Sequence, residues 1–93
     1  MSELSLIKVT KIEAVGGHRL RLSFSDGRFG ERDFSDIVAA DGPMLEPLRD
    51  AAYFARVFVE FGAPTWPNGY DVAPNALYAE MADAGLLCDA AVV

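Results

Sequence analysis

His18 is the only histidine of the 93-residue chain and Cys88 its only cysteine. Structural and catalytic metal sites draw on several such ligands at set spacing, so no metal site is expected. As a general base, His18 would need a nucleophile and an orienting partner, and the flanking Gly16-Gly17 and Arg19 offer neither. A small hydrolase or transferase would have to bring Asp33 or Asp71 to His18 by folding, and this is the enzymatic alternative. The simpler expectation is a solvated turn histidine. Cys88 reads as a small apolar residue. Asp33 with Asp36, or Asp26 with Glu31, could be paired by folding, but acid work needs two carboxylates in contrasting environments. These carboxylates fall in turns and at helix starts, where they cap amides. No phosphate-binding glycine loop, nucleophile elbow or dinucleotide fingerprint is present. The expectation is no catalytic residue, no metal and no cofactor.

Two groups of residues carry binding chemistry instead. Arg19 and Arg21 share one face of a strand, and Arg28 and Arg32 share one face of the next, which together could form a basic stripe. Ordinary cross-strand pairing with Glu31 and Asp33 is the competing explanation. The second group is Trp66-Pro67-Asn68-Gly69-Tyr70-Asp71. Asn-Gly is turn chemistry, and Asp71 can organise the chain ahead of the last helix. Trp66 then anchors the core, with its indole N–H on a local acceptor. Alternatively, the loop presents Trp66, Asn68, Tyr70 and Asp71 to a partner. These four residues, with Arg19 and Arg21, are the candidate partner-binding set.

The elements that position them follow from periodicity. Ile7, Val9, Ile12 and Ala14 alternate with polar residues, with a register slip near Thr10-Lys11. Gly16-Gly17 turns the chain into Arg19–Phe24, where Leu20, Leu22 and Phe24 alternate with Arg19, Arg21 and Ser23. Asp26-Gly27 turns it again into 28–34, which completes a three-stranded antiparallel meander. Ser35 or Asp33 caps a short helix to Ala40, and Asp50 caps another carrying Tyr53 and Phe54. Residues 56–61 read as an apolar, interior strand, and Gly62 to Trp66 as its hairpin partner, pushed to an edge by Pro64. Pro74 opens the last helix, whose buried stripe is Leu77, Met81 and Ala84, and Gly85 ends it. The fold class is α+β: an antiparallel sheet from the meander plus a later strand or hairpin, with two or three short helices on one face. Residues 1–93 form one domain, with an apolar tail over 86–93 that has no partner in this scheme.

Bulk properties bound the rest. Hydrophobic residues make up 52% and charged residues 24%, as in a globular rather than a disordered chain. No apolar run is long enough to span a bilayer. The acidic start Met1-Ser2-Glu3 is not a signal peptide, and a lone cysteine suits a reducing compartment, so a cytoplasmic protein is expected. The net charge is −6. All eight bases precede residue 57 and face nine acids there, while the remainder carries five acids and no base. Acidic surfaces repel phosphates, so the domain is a poor candidate for nucleic acid.

Leu22-Ser23-Phe24-Ser25-Asp26-Gly27, Asp33-Phe34-Ser35, Leu48-Arg49-Asp50, Phe54-Ala55-Arg56-Val57 and the block from Trp66 to Tyr78 together resemble the domain of unknown function 2442 family. The likeness runs from about Ile7 to Tyr78, and its most specific part is Trp-Pro-Asn-Gly-x-Asp through Leu77-Tyr78. The resemblance implies an α+β fold, sometimes fused to a DNA-binding helix-turn-helix domain that this sequence does not contain. It also implies a gene neighbour encoding another small protein, in a toxin–antitoxin-like arrangement, and no catalytic residues. Ala73 departs from the family, where a serine often caps the last helix. The expected function is a non-enzymatic protein-interaction module, the antitoxin-like or regulatory member of a two-protein pair. A homodimer through the tail or an open sheet edge, and weak nucleic-acid binding through the arginine stripe, are the further alternatives.

Overall fold

The alternation of Leu20, Leu22 and Phe24 with Arg19, Arg21 and Ser23 dictates a strand with one dry face, and β2 (Arg19–Phe24) buries the first three. A computed structural model describes residues 7–89, so Met1–Leu6 and the tail residues Ala90–Val93 lie outside the described residues. β1 (Val9–Gly16) runs antiparallel to β2, with Val9 opposite Phe24 and Lys11 opposite Ser23. The register shifts between Val9 and Lys11, where the interrupted alternation predicts it, and again between Ala14 and Gly16. β3 (Arg28–Asp33) closes the meander, with Leu22 opposite Gly30 and Arg21 opposite Glu31.

Three short helices follow the meander: α1 (Ser35–Val38), α2 (Ala51–Phe54) and α3 (Pro74–Asp83). A 3-10 turn over Pro47–Arg49 precedes α2. The Asp33 carboxylate accepts from both the amide and the hydroxyl of Ser35, which fixes the start of α1. Asp50 stands at the start of α2, but its side chain makes no capping bond. In α3, Leu77 and Met81 are buried, whereas Ala84 is exposed beyond the last helical turn, so the expected three-residue stripe shortens to two.

The expected strand at 56–61 is only Phe58–Glu60 (β4), and all three residues are exposed rather than interior. It pairs with β5 (Ala63–Thr65) as a separate two-stranded sheet. Apolar composition cannot distinguish a buried strand from one lying on the surface. What decides it here is the immediate reversal at Phe61-Gly62. Pro64 is buried in β5, in keeping with a hairpin that needs no donor on that side.

The beginning of the apolar tail does find a partner. β6 (Cys88–Asp89) pairs with β3, which gives the four-stranded order β1-β2-β3-β6. The core beneath this sheet joins Val9, Leu20, Leu22 and Phe24 to Phe34, Val38, Leu48, Phe54, Trp66, Leu77 and Met81. Gly30 is where α3 and β6 meet the sheet: a Cβ there would stand 2.2 Å from the Leu86 carbonyl oxygen. Among the described residues no helix is long and apolar enough to cross a membrane.

Candidate functional site

The chain from Thr65 to Asp71 turns tightly, with Gly69 donating to the Trp66 carbonyl and Trp66 donating to that of Tyr70. Trp66 is 1% exposed, its Nε1–H donates to the Phe54 carbonyl at 2.9 Å, and its ring packs on Phe54 and Tyr70. It is the expected core anchor, and in this fold it presents almost no surface. Asn68 is half-buried: its amide nitrogen donates to the Met44 carbonyl and its oxygen accepts from the Tyr70 amide. Tyr70 is also half-buried, while Asp71 is exposed and bridges to Thr65 through the backbone.

The arginines do not form one stripe. Cross-strand partners share a face, and Arg32 lies opposite Leu20, so Arg32 and Arg28 lie on the core side of the sheet. Arg32 is nearly buried, pairs with Glu80 at 2.9 Å and Asp36 at 3.7 Å, and stacks over Phe34. Arg28 donates to Asp89 and to the Tyr78 hydroxyl. On the opposite, wet face, Arg19 and Arg21 both grip Glu31, and Arg21 also pairs with Glu13. The hydrogen bonds from Arg21 and Arg19 hold the Glu31 carboxyl below its ordinary value, and Glu31 in turn raises the Arg21 guanidinium. A groove of about 500 Å³ between β3, α1 and α3 is lined by Arg19, Glu31, Arg32, Asp33, Asp36 and Glu80; both arginines are ion-paired there, and the acids outnumber them.

His18 is not a solvated turn residue. Its Nε2 lies 3.0 Å from the carbonyl oxygens of both Leu48 and Arg49, and its ring meets Phe54 edge-on at 5.0 Å. Two carbonyl acceptors require that nitrogen to carry the proton. The imidazole is therefore a clamp between the first hairpin and the 3-10 turn, with no hydrogen bond to Asp33 or Asp71. Asp33 is engaged by Ser35, whose hydroxyl and amide hold its carboxyl below the usual range, with Arg19 and His18 adding to the effect. Among the described residues no group of three or more His, Cys, Asp or Glu side chains could hold a metal ion. Cys88 is exposed in β6.

The residues that periodicity missed are on the β4–β5 hairpin. Phe61 is 93% exposed at its tip, with Phe58 at 43% and Val59 at 37%. Phe61 and Gly62 have φ of 52° and 78°, the pattern of a type I′ turn, for which Asn-Gly is the favoured sequence. Phe61 is the one non-glycine residue with positive φ among those described. Gly62 is also held close to β1: its carbonyl accepts from Val9, and a Cβ on it would stand 2.8 Å from the Lys8 side chain. Beside the tip runs a groove of about 370 Å³ lined by Glu60, Phe61, Ala63, Thr65, Gly69 and Asp71. The only signal in the sequence was Phe-Gly in a turn position, which apolar patterning absorbs into a strand.

Residues 9–82 match the family described as "Protein of unknown function (DUF2442)". The chain is also similar to the crystal structure of "Putative DNA Binding Protein NE0471 from Nitrosomonas europaea ATCC 19718", at 33% identity and a TM-score of 0.69. That likeness covers 85% of this chain and 52% of the other, so this chain spans about half the length of its structural relative. No curated protein matches the chain. A match over 9–82, on a chain with the α+β fold that the resemblance implies, places this chain in the DUF2442 family.

Proposed function

We propose that this chain is a protein-interaction module whose contact surface is the β4–β5 hairpin. One observation carries this: an aromatic side chain, Phe61, stands almost wholly in solvent on a backbone conformation unfavourable to it. Folding alone gains nothing from Phe there, since Asn would suit the turn and no burial would be lost. Aromatic residues dominate interface energetics, and Phe58 and Val59 extend the apolar surface. Gly69 and Asp71 line the groove beside the hairpin tip, so part of the loop singled out in the sequence adjoins the same surface. The two-protein arrangement that the family resemblance implies gives the kind of partner: a second small protein, for which this chain is the antitoxin-like or regulatory member.

The test is affinity capture from the native cells with a tagged wild-type chain and with a Phe61→Asn/Phe58→Ser variant whose fold is checked by circular dichroism. The expected result is one small protein recovered near one-to-one with wild type and lost with the variant. Equal recovery by both refutes the hairpin as the contact surface.

The name of the structural relative supports a second reading, DNA binding. The charge balance opposes it, because Arg19, Arg21, Arg28 and Arg32 are all held by carboxylates of the same chain. Titration of labelled duplex DNA at about 0.1 M salt is expected to show no binding. Saturable, salt-sensitive binding that Arg19→Ala/Arg21→Ala removes would establish this reading instead.

A further inference from the structure

We infer that the segment docking on the hairpin is a cationic peptide stretch, apolar side chains interspersed with Lys or Arg, whose basic groups enter the groove beside Phe61. This rests on the hairpin being the contact surface and specifies what contacts it. The groove holds two carboxylates, Glu60 and Asp71, and no base lines it. Neither carboxylate has an ion-pair partner among the described residues. The nearest base in sequence, Arg56, lies over the Tyr53 ring, and Lys8, whose stem crosses Gly62, is not among the residues that line the groove.

The chain beyond Arg56 contains no base, so nothing sequence-local dilutes this negative charge. The groove between β3, α1 and α3 differs in that two arginines line it and pair with Glu31, Asp36 and Glu80. An acidic groove rimmed by apolar side chains fits a cationic side chain flanked by apolar ones. The ammonium or guanidinium meets Glu60 and Asp71, the exposed Phe61 ring offers a cation–π face, and the flanking residues cover Phe58 and Val59. An acidic segment would meet like charge at the same place and be rejected.

Three labelled eight-residue peptides test this, alternating Val with Lys, with Glu or with Ser, titrated into the full chain and followed by anisotropy and amide chemical shifts. The lysine peptide is expected to bind at least tenfold tighter than the glutamate peptide, with shifts concentrated over residues 58–71. The variant Glu60→Gln/Asp71→Asn, which preserves shape, should weaken it roughly five- to tenfold and flatten its salt dependence. If all three peptides bind alike and this variant changes nothing, while Phe61→Asn weakens every one, the charge assignment falls and the hairpin surface stands. If no peptide shifts residues 58–71, or the lysine peptide binds on another face, the cationic-segment inference is overturned. Loss of the captured partner on hairpin substitution would still decide the hairpin question separately.

Discussion

Replacing Phe61 by Asn should make the protein more stable, an unusual outcome for removing a large apolar side chain. A left-handed backbone costs an ordinary L-residue roughly 1–2 kcal/mol, and Asn much of that less because its short polar side chain tolerates the conformation. Phe61 has φ of 52°, and its side chain is 93% exposed, so truncation surrenders almost no burial. The residue after it is Gly62, so the change creates Asn-Gly, the preferred pair for this turn. The expected gain is about 1 kcal/mol, which in a domain of this size raises the melting temperature by roughly 4–8 °C. Phe61→Gly should gain less, because glycine adds about 0.5–1 kcal/mol of unfolded-state entropy. Phe61→Ala, which keeps a Cβ in the same backbone conformation, should change little. Thermal melts of the four proteins followed by circular dichroism, with urea titrations to confirm unchanged m-values, provide the assay. If Asn and Ala both destabilise by more than about 0.5 kcal/mol, the ring has a packing role in the isolated chain that its exposure does not show, and the case for Phe61 as a contact residue collapses.

Other substitutions probe the rest of the framework. Gly30→Ala should cost about 3 kcal/mol in urea denaturation, because the obstructing atom is the Leu86 backbone carbonyl, and adding Leu86→Ala should not restore stability. Trp66→Phe should cost about 2 kcal/mol, mostly from lost packing, since the Phe54 carbonyl keeps the Val57 amide as a donor. The Tyr78 hydroxyl donates a hydrogen bond to Asp26, and Tyr78→Phe should cost about 1 kcal/mol near neutral pH. Burial pulls the Asp26 carboxyl up, but the bonds from Tyr78 and the Arg28 amide, with the Arg28 charge, hold it below its ordinary value. The stability it supplies is complete above the ordinary carboxylate range and fades as pH falls through the lowered folded value. The Tyr78 phenol is raised, chiefly by its bond to Asp26 and by burial, so its contribution is complete below about pH 10 and fades as pH rises through the raised value. Stability measured against pH should therefore show a shallower acid limb in Asp26→Asn and a shallower alkaline limb in Tyr78→Phe.

Where a pattern is carried by neighbouring residues alone, sequence and structure agree most closely. The alternation in Arg19–Phe24, the slip at Thr10, the two hairpin turns and the Leu77–Met81 spacing each follow from local periodicity and turn chemistry. The indole of Trp66 as a core anchor follows from the size of the ring and its single donor. What escaped reading depends on distant pairing. Whether Arg28 and Arg32 share a face with Arg19 and Arg21 is set by register across the Asp26-Gly27 turn, and a single-residue difference reverses it. His18 looks solvated because its acceptors, the carbonyls of Leu48 and Arg49, lie 30 and 31 residues away. The exposed hairpin was hidden because Phe58, Val59 and Phe61 resemble a buried strand when only composition is weighed.

The pairing of β3 with β6 also bears on how the molecule assembles and breathes. Both hairpins of the meander close through tight turns, so they can form early, whereas the contact of Arg28 with Asp89 closes a gap of 61 residues. Among the described residues two pairs hold β6 to β3, and both residues of β6 are exposed. Substitutions at Leu22 should thus slow refolding, while Asp89→Ala should leave the refolding rate unchanged and quicken unfolding. In native-state hydrogen exchange, the amides of Cys88 and Asp89 should exchange through local opening at far lower free energy than those of β2. Such a strand can peel from the sheet and return many times within the lifetime of one folded molecule, leaving the edge of β3 intermittently open beside an intact core.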